Sequence, residues 1–210
     1  MSPATYEETE MKDSERTLLI EGIAKLFNNP NHADVKIYIG ERELPAHSVV
    51  LVTQSPFFQK ALSGHFHEGN AKQFLFKDGS LHAHWRVIEY MYTGSYSEEP
   101  AEVLDTEDDH ELIKDVRVYV TAEFFMLDDL KEHALQKFKS KLKQLWVSEL
   151  LVDCIREIYS STTVSEYGLR NAVVEIVRSN WRELWGKKAF RDLIRAGGDF
   201  AVDLMDKLCY

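Results

Sequence analysis

The chain has 210 residues, of which 44% are hydrophobic and 29% charged, a balance typical of a folded protein with one large or two small domains. No apolar stretch approaches the roughly 20 residues that a membrane span requires, so no membrane association is expected. The formal net charge of −10 repels phosphate groups, which argues against nucleic acid as a partner. Two cysteines are too few for a disulfide scaffold, and the polar N-terminus has no signal-peptide pattern. We therefore expect the protein in the cytoplasm, the nucleus or both.

The first predicted element is a helix that follows an acid-rich, disordered tail. The tail comprises residues 1–13, and apolar residues then recur at helical spacing from Ser14 to Phe27. The Asn28-Asn29-Pro30 stretch is expected to end this helix, because proline cannot continue it. The helix has more apolar residues than a solvent-facing helix needs, and these include Leu18, Leu19, Ile23, Leu26 and Phe27.

The next part of the chain carries three strand patterns. Residues 34–39 alternate apolar and polar side chains, and residues 43–47 can return as the second strand of a hairpin. Ser55-Pro56 is an N-cap followed by proline at the first helical position, which predicts a helix before the third strand at residues 73–77. A further helix then ends at Gly94.

An acidic stretch, residues 97–111, separates the strands from a helical remainder. It contains eight carboxylates and no Lys or Arg, so we expect an exposed loop. Calcium binding is the alternative, but the stretch lacks the Asp-x-Asp-x-Asp-Gly spacing of a calcium loop. The whole pattern is α+β, with a first domain at residues 14–143 and an all-helical C-terminal extension at residues 144–210.

The sequence shows no constellation of residues for catalysis. Neither Cys154 nor Cys209 has the basic surroundings that stabilise a thiolate, apart from Arg156 near the first, and no Gly-rich phosphate loop is present. The pairs His65-x-His67 and His82-x-His84 could hold zinc, but without a cysteine cluster nearby we expect surface histidines. We predict that the protein is not an enzyme and has no catalytic residue, no cofactor and no metal site.

Several motifs of the first domain occur in a recognisable order. Asp34 opens the first strand, Ala46-His47 ends the second, and Ser55-Pro56-Phe57-Phe58 begins the next helix. Phe66-His67-Glu68 follows, and Tyr92-Thr93-Gly94 ends the later helix. This order and spacing resembles the BTB/POZ domain, and the acidic insertion and short helical tail are similar to compact BTB proteins of filamentous fungi. The resemblance implies a BTB/POZ fold, in which a small β-sheet is flanked by helices.

The resemblance also implies two interaction sites. In long-form BTB domains a helix like the predicted N-terminal one packs across a two-fold axis, so its apolar residues are candidates for a homodimer interface. Phe66 and Glu68 match the apolar-x-Glu motif of cullin-3-binding BTB domains, in which a ring fills a pocket and a carboxylate fixes the register. The alternative is that Phe66 belongs to the core and Glu68 is an exposed acid. The candidate dimer residues are Leu18, Leu19, Ile23, Leu26 and Phe27.

One position departs from the pattern of the transcription-factor branch. Members of that branch usually follow the Ala-His pair with Lys or Arg, which helps to form a charged pocket with the aspartate. This chain has Ser48 there. The charged pocket and the corepressor groove of that branch are therefore not expected.

The predicted function is protein–protein interaction by a homodimeric BTB protein that serves as a substrate adaptor for a cullin-3-type ubiquitin ligase. Its partners would be a second copy of itself, the cullin scaffold and an unknown protein target. The alternative is a self-association or scaffold protein, in transcription or chromatin, that does not bind cullin. Trp181 and Trp185 are four residues apart, so we expect them in the core rather than on a partner surface.

Overall fold

The computed structural model of the protein describes residues 18–63, 72–163 and 166–209. Strands occupy the first part of these residues and helices the rest, which confirms the predicted α+β class. In chain order the elements are α1 (18–24), β1 (Val35–Ile39), β2 (Arg42–Ala46), α2 (Ser48–Gln54), α3 (Pro56–Leu62), β3 (Gln73–Phe76), α4 (Leu81–Thr93), a 3₁₀ helix (Glu102–Leu104), α5 (Glu111–Phe124), α6 (Asp128–Leu145), α7 (Leu151–Ser161), α8 (Tyr167–Ser179), α9 (Trp181–Trp185), α10 (Lys188–Ala196) and α11 (Asp199–Cys209).

The three strands form one sheet in the order β2-β1-β3, as the strand patterns predict. β1 and β2 are antiparallel, with Val35 opposite Ala46, whereas β1 and β3 run parallel, with Ile37 opposite Phe74. Val35 and Ile37 are buried and Lys36 between them is exposed. The period of two in the sequence therefore reflects a sheet that buries one face and exposes the other.

The described part of α1 ends earlier than the sequence predicts. Its last helical residue is 24, and the amide of Phe27 bonds the carbonyl of Ala24, three residues back, at 3.1 Å. This tighter turn accompanies the packing of the Phe27 ring on Trp85, with 5.1 Å between the ring centroids. Asn28 follows with a positive φ of 52°, which turns the chain toward β1.

The chain divides into two compact units. The first, called here the N-terminal unit, comprises the described residues up to Asp108 together with Phe124–Leu127. The second, the C-terminal unit, comprises Asp109–Glu123 and the described residues from Asp128 onward. This division rests on contacts within the fold and does not test the domain boundary at residue 143, which stays a prediction.

Aromatic rings fill the N-terminal unit next to β3. Phe58 of α3 is fully buried, and its ring centroid lies 5.0 Å from that of Phe74 and 5.4 Å from that of Phe125. Ser55 accepts the amide of Phe58 at 3.4 Å and donates its hydroxyl to the carbonyl of Phe125 at 2.7 Å. The Ser-Pro-Phe-Phe motif thus begins α3 and fastens the turn at Phe125 to it.

His47 joins two motifs that lie 45 residues apart. Its Nε2 is 2.9 Å from the carbonyl oxygen of Asn31, and its Nδ1 is 3.1 Å from the hydroxyl of Tyr92. Because a carbonyl only accepts, Nε2 donates, and in the neutral imidazole Nδ1 accepts the hydroxyl proton. Burial raises the pKa of Tyr92 to about 12, so that proton stays in place. The Ala-His and Tyr-Thr-Gly motifs are therefore structural partners.

Arg86 of α4 is fully buried and holds the acidic stretch. Its guanidinium donates to both carboxylate oxygens of Asp108, at 2.9 and 2.6 Å, and its Nε donates to the carbonyl of Ser97 at 2.9 Å. His82, one turn earlier, is 3.1 Å from the carbonyl of Thr106 through Nε2. The acidic stretch, predicted as an exposed loop, is therefore bound to α4. His82 and Arg86 form hydrogen bonds with its backbone carbonyls, and Arg86 also pairs with the carboxylate of Asp108.

A second buried arginine organises the C-terminal unit. Arg170 of α8 donates from Nε to the hydroxyl of Thr162 at 3.1 Å, and its guanidinium lies 4.5 Å from the ring centroid of Tyr159. The same group reaches Asp199, the first residue of α11, at 3.5 Å. One cation thus connects α7, α8 and α11.

None of the helices in the described residues has the length and apolar character needed to cross a bilayer.

Asp34 lies before β1 at the centre of a small charged cluster. Its Oδ1 accepts the amide of Ser48 at 2.7 Å, and its Oδ2 accepts the Ser48 hydroxyl at 2.7 Å and the Lys72 ammonium at 2.8 Å. Partial burial opposes ionisation, but the hydrogen bonds from Lys72 and Ser48 outweigh it and lower the pKa of Asp34 to about 2. Because Ser48 stands where the transcription-factor branch has Lys or Arg, we did not expect Asp34 to be paired with a cation. Lys72 supplies that cation instead.

Replacing Arg86 by methionine is expected to destabilise the protein by about 3 kcal/mol, because Asp108 and the loop carbonyls would lose their buried partner. Urea unfolding monitored by circular dichroism measures this change. Arg42→Met is the matched control, since Arg42 lies 3.9 Å from Asp105 in a mostly exposed pair and its loss should cost no more than about 0.5 kcal/mol. Equal losses in the two variants would contradict the role assigned to Arg86.

The lowered pKa of Asp34 predicts a specific acid sensitivity. The paired carboxylate stabilises the fold above its ordinary pKa of 3.8, and this contribution is lost as the pH falls toward 2. Because the side chain is 40% exposed, we expect about 1 kcal/mol rather than the full value of the shift. Asp34→Asn should lower stability at pH 7 and flatten its dependence between pH 5 and 2, as measured by urea unfolding at each pH. An unchanged pH profile would show that the cluster does not stabilise the fold.

Candidate functional site

A groove of about 760 Å³ runs along β3 in the N-terminal unit. Aromatic rings form much of its lining, and the Phe57 and Phe124 centroids are 4.9 Å apart. Phe125 is fully buried, whereas Phe124 next to it keeps 53% of its surface exposed. An exposed ring beside half-buried ones in a concave surface is typical of a place where a protein partner docks. The aromatic lining consists of Phe57, Phe74, Phe76 and Phe124.

The rim of the groove adds further apolar surface and positive charge. Leu75 of β3 is 56% exposed and Met126 is 45% exposed, and both line the groove. Lys60 and Lys77 also line it, together with one acidic residue, Asp78. A partner that combines apolar side chains with carboxylates would complement this surface.

The predicted cullin-binding residues, Phe66 and Glu68, lie outside the described residues. The nearest groove-lining positions on either side of them in sequence are Ala61, in α3, and Gln73, in β3. The segment that carries the motif therefore connects two elements that both line the groove. Binding of cullin through Phe66 and Glu68 stays a prediction, with a core position of Phe66 as the alternative.

The predicted dimer residues fall into two groups. Leu18 and Leu19 of α1 are 67% and 66% exposed. Ile23, Leu26 and Phe27 are half-buried, and the Phe27 ring packs on α4 of the same chain. The first group thus offers the larger apolar surface to a second copy, and the second group offers the exposed part of side chains that also pack within the chain. The dimer itself stays a prediction.

Two further exposed apolar residues of the N-terminal unit are absent from the sequence-based candidates. Ile20 is 55% exposed in α1, and Val49 is 68% exposed in α2. Val49 escapes notice in the sequence because it belongs to a continuous apolar run, residues 49–52, that gives no sign of which side chain faces outward. The groove residue Phe124 is hidden in the same way, since it adjoins Phe125.

Three of the groups considered for chemistry, Cys154, His82 and His84, have structural partners, whereas His65 and His67 lie outside the described residues. Cys154 is buried with its Sγ 3.4 Å from the carbonyl of Leu112, and burial raises the pKa of its thiol to about 12. His82 is 3% exposed and therefore not the surface residue that we expected, because it supports the acidic stretch. His84 is half-buried, and its Nδ1 donates to the carbonyl of Ser80, 2.8 Å away. Within the described residues no three His, Cys, Asp or Glu side chains are placed to hold a metal ion.

The chain is similar to several curated vertebrate proteins. Over 36% of the present chain, it is 30% identical to human Kelch-like protein 30. Over 44% of the chain it is 27% identical to Kelch-like protein 40 of Xenopus tropicalis, and over 46% it is 30% identical to mouse Kelch-like protein 38. These matches span only 13%, 15% and 17% of the relatives' own lengths. The relatives are animal proteins, so the resemblance to fungal BTB proteins stays a prediction.

A family model also matches the chain. The BTB/POZ domain model covers residues 23–142, which is more than half of the chain and runs from the end of α1 to near the end of α6. The matched region contains the whole sheet, the groove and the charged cluster around Asp34. This sequence match agrees with the α+β architecture and with the motif partners found at His47 and Tyr92. The chain belongs to the BTB/POZ domain family.

Proposed function

We propose that the protein is a homodimeric BTB adaptor that brings a protein target to a cullin-3-type ubiquitin ligase. The observation that carries this proposal is the aromatic groove beside β3, in which the Phe124 ring and Leu75 are exposed and the rim carries Lys60 and Lys77. The motif residues Phe66 and Glu68 lie in the segment that connects two groove-lining elements. Such an adaptor would work in the cytoplasm, the nucleus or both.

The groove and the motif supply different parts of the recognition. Phe124 and Leu75 offer apolar surface that a partner helix or loop can cover, which gives most of the affinity. Glu68 would fix the register through a charge-assisted hydrogen bond. The ligase chemistry would belong to the partners, so the adaptor itself needs no catalytic group.

Dimerisation would add to this role without new contacts to the target. Two copies of the groove in one assembly raise the effective concentration of the second binding event once the first has formed. The exposed leucines of α1 are the support for a dimer, because a contiguous apolar run at the surface is unfavourable in water. If the groove binds no cullin, the alternative is a self-association or scaffold protein.

Alanine at Phe66 or Glu68, and glutamate at Leu75, are each expected to weaken binding to the N-terminal region of cullin-3 at least tenfold, or about 1.4 kcal/mol. The first two remove the anchor pair, and the third places a charge in the apolar groove. Isothermal titration calorimetry with the full chain measures the affinities.

Val202→Glu is the matched control for these variants. Val202 is 60% exposed like Leu75, but it lies in α11 and outside the groove, so its replacement should leave the affinity within twofold. A folded protein that binds no cullin-3, or that binds equally well in all four variants, would refute the adaptor role. Circular dichroism of each variant separates loss of binding from loss of fold.

Glutamate at both Leu18 and Leu19 is expected to convert a dimer into a monomer, because the two exposed leucines would carry the apolar contact between copies. Sedimentation velocity at micromolar concentration measures the change. Glutamate at Ile23 does not separate loss of the dimer from loss of the fold, since that side chain is half-buried within its own chain. If the unaltered protein sediments as a monomer, the proposed dimer does not exist.

A further inference from the structure

The segment formed by α9 and α10 differs in charge from the rest of the chain. Residues 181–196 contain five Lys or Arg side chains and two acidic ones, although the whole chain has a net charge of −10. The guanidinium of Arg191 donates to the carbonyls of Trp185 and Gly186 at 2.7 and 2.9 Å, which orders α9 without neutralising the charge. Arg182 and Lys188 are exposed, and neither forms an ion pair with another described residue.

An aromatic side chain stands at the surface among these cations. Trp185 is 43% exposed, so the sequence-based expectation that it belongs to the core is wrong. Its ring stacks on Trp181 at 5.0 Å, and Trp181 in turn packs on Phe190, which is fully buried. Leu184 faces inward and is 1% exposed, which fixes the outward direction of Trp185 on this short helix. The indole is therefore packed on Trp181 with part of its surface open to solvent.

The turn between α6 and α7 is bonded to the residues that follow this tryptophan. Lys187, two residues after Trp185, donates to the carbonyl of Val147 and lies 3.6 Å from Glu149. Val147 is 58% exposed and Leu150 is 39% exposed. Lys187 thus connects this turn, with its two exposed apolar side chains, to the chain just after Trp185.

We propose that this surface, defined by Val147, Leu150, Arg182, Trp185, Lys187 and Lys188, binds an acidic segment of the target protein that carries a large apolar side chain. A packed, partly exposed tryptophan among arginine and lysine side chains is typical of an interface hot spot. Its positive charge is complementary to carboxylates, which steer association and exclude basic partners. The proposal goes beyond the cullin-binding role, because it names where the target is held and what chemistry it has.

A peptide selection against the full chain tests this inference. Displayed random twelve-residue peptides are selected on the immobilised protein, and the affinity of the enriched peptides is measured by fluorescence polarisation. We expect the enriched peptides to be rich in Asp and Glu around one Trp, Phe or Leu. Their affinity should fall as salt rises, because the cations of the surface are exposed.

Two variants and one matched control connect the selected peptides to the surface. Trp185→Ser and the double variant Arg182→Glu with Lys188→Glu should each weaken peptide binding at least tenfold. The control, Arg156→Glu with Lys207→Glu, makes the same change in net charge in the C-terminal unit but outside the surface, and should leave the affinity within twofold. Each variant is checked by circular dichroism for an unchanged fold.

Three outcomes would overturn the proposal. The first is a selection that enriches no peptides or peptides without acidic residues. The second is an equal loss of binding in the control. The third is equally tight, tryptophan-independent binding of duplex DNA or of anionic vesicles, which would make the surface a general anion site. Cullin-3 binding should be unchanged in Trp185→Ser, so failure of this proposal is distinguishable from failure of the adaptor role.

Discussion

The parallel pairing of β1 with β3 is the constraint on which the N-terminal unit depends. Parallel neighbours cannot be joined by a tight turn, so the chain must leave the sheet after β2 and return to the far side of β1. The helices α2 and α3 make this return, and α3 is thereby laid against β3 with Phe58 between them. The groove exists because β3 is an outer strand of this sheet, with α3 and the turn at Phe124 forming its other side.

Buried cations have a comparable effect on segments that lack regular structure. Arg86 gives the acidic stretch a fixed path, although like charges along that stretch repel one another. Arg170 does the same for the junction of α7, α8 and α11. In both cases the guanidinium donates to backbone carbonyls as well as to a carboxylate, so each arginine satisfies several acceptors that burial would otherwise leave without partners.

The sequence predicts regular elements well and their side-chain partners poorly. The alternation in residues 34–39 and the Ser55-Pro56 start of α3 are local signals, and both are confirmed. The partner of Asp34 is not local, because Lys72 lies 38 residues away, and neither is that of Arg86, 22 residues from Asp108. The exposed ring of Phe124 was missed because it adjoins Phe125, and the pattern alone cannot tell which of the two faces solvent. Trp185 was expected in the core because it lies four residues from Trp181, but the two rings stack on each other and Trp185 still keeps 43% of its surface exposed.

The two cysteines differ sharply in environment. Cys154 is enclosed in the C-terminal unit with a thiol that does not ionise at neutral pH, whereas Cys209 is exposed at the end of α11. Thiol reagents react with the thiolate, so only Cys209 is open to a maleimide dye or a nitroxide under native conditions. The unaltered chain thus carries one specific attachment point for a fluorescent or paramagnetic probe. Its spectroscopy requires no cysteine substitution in either unit.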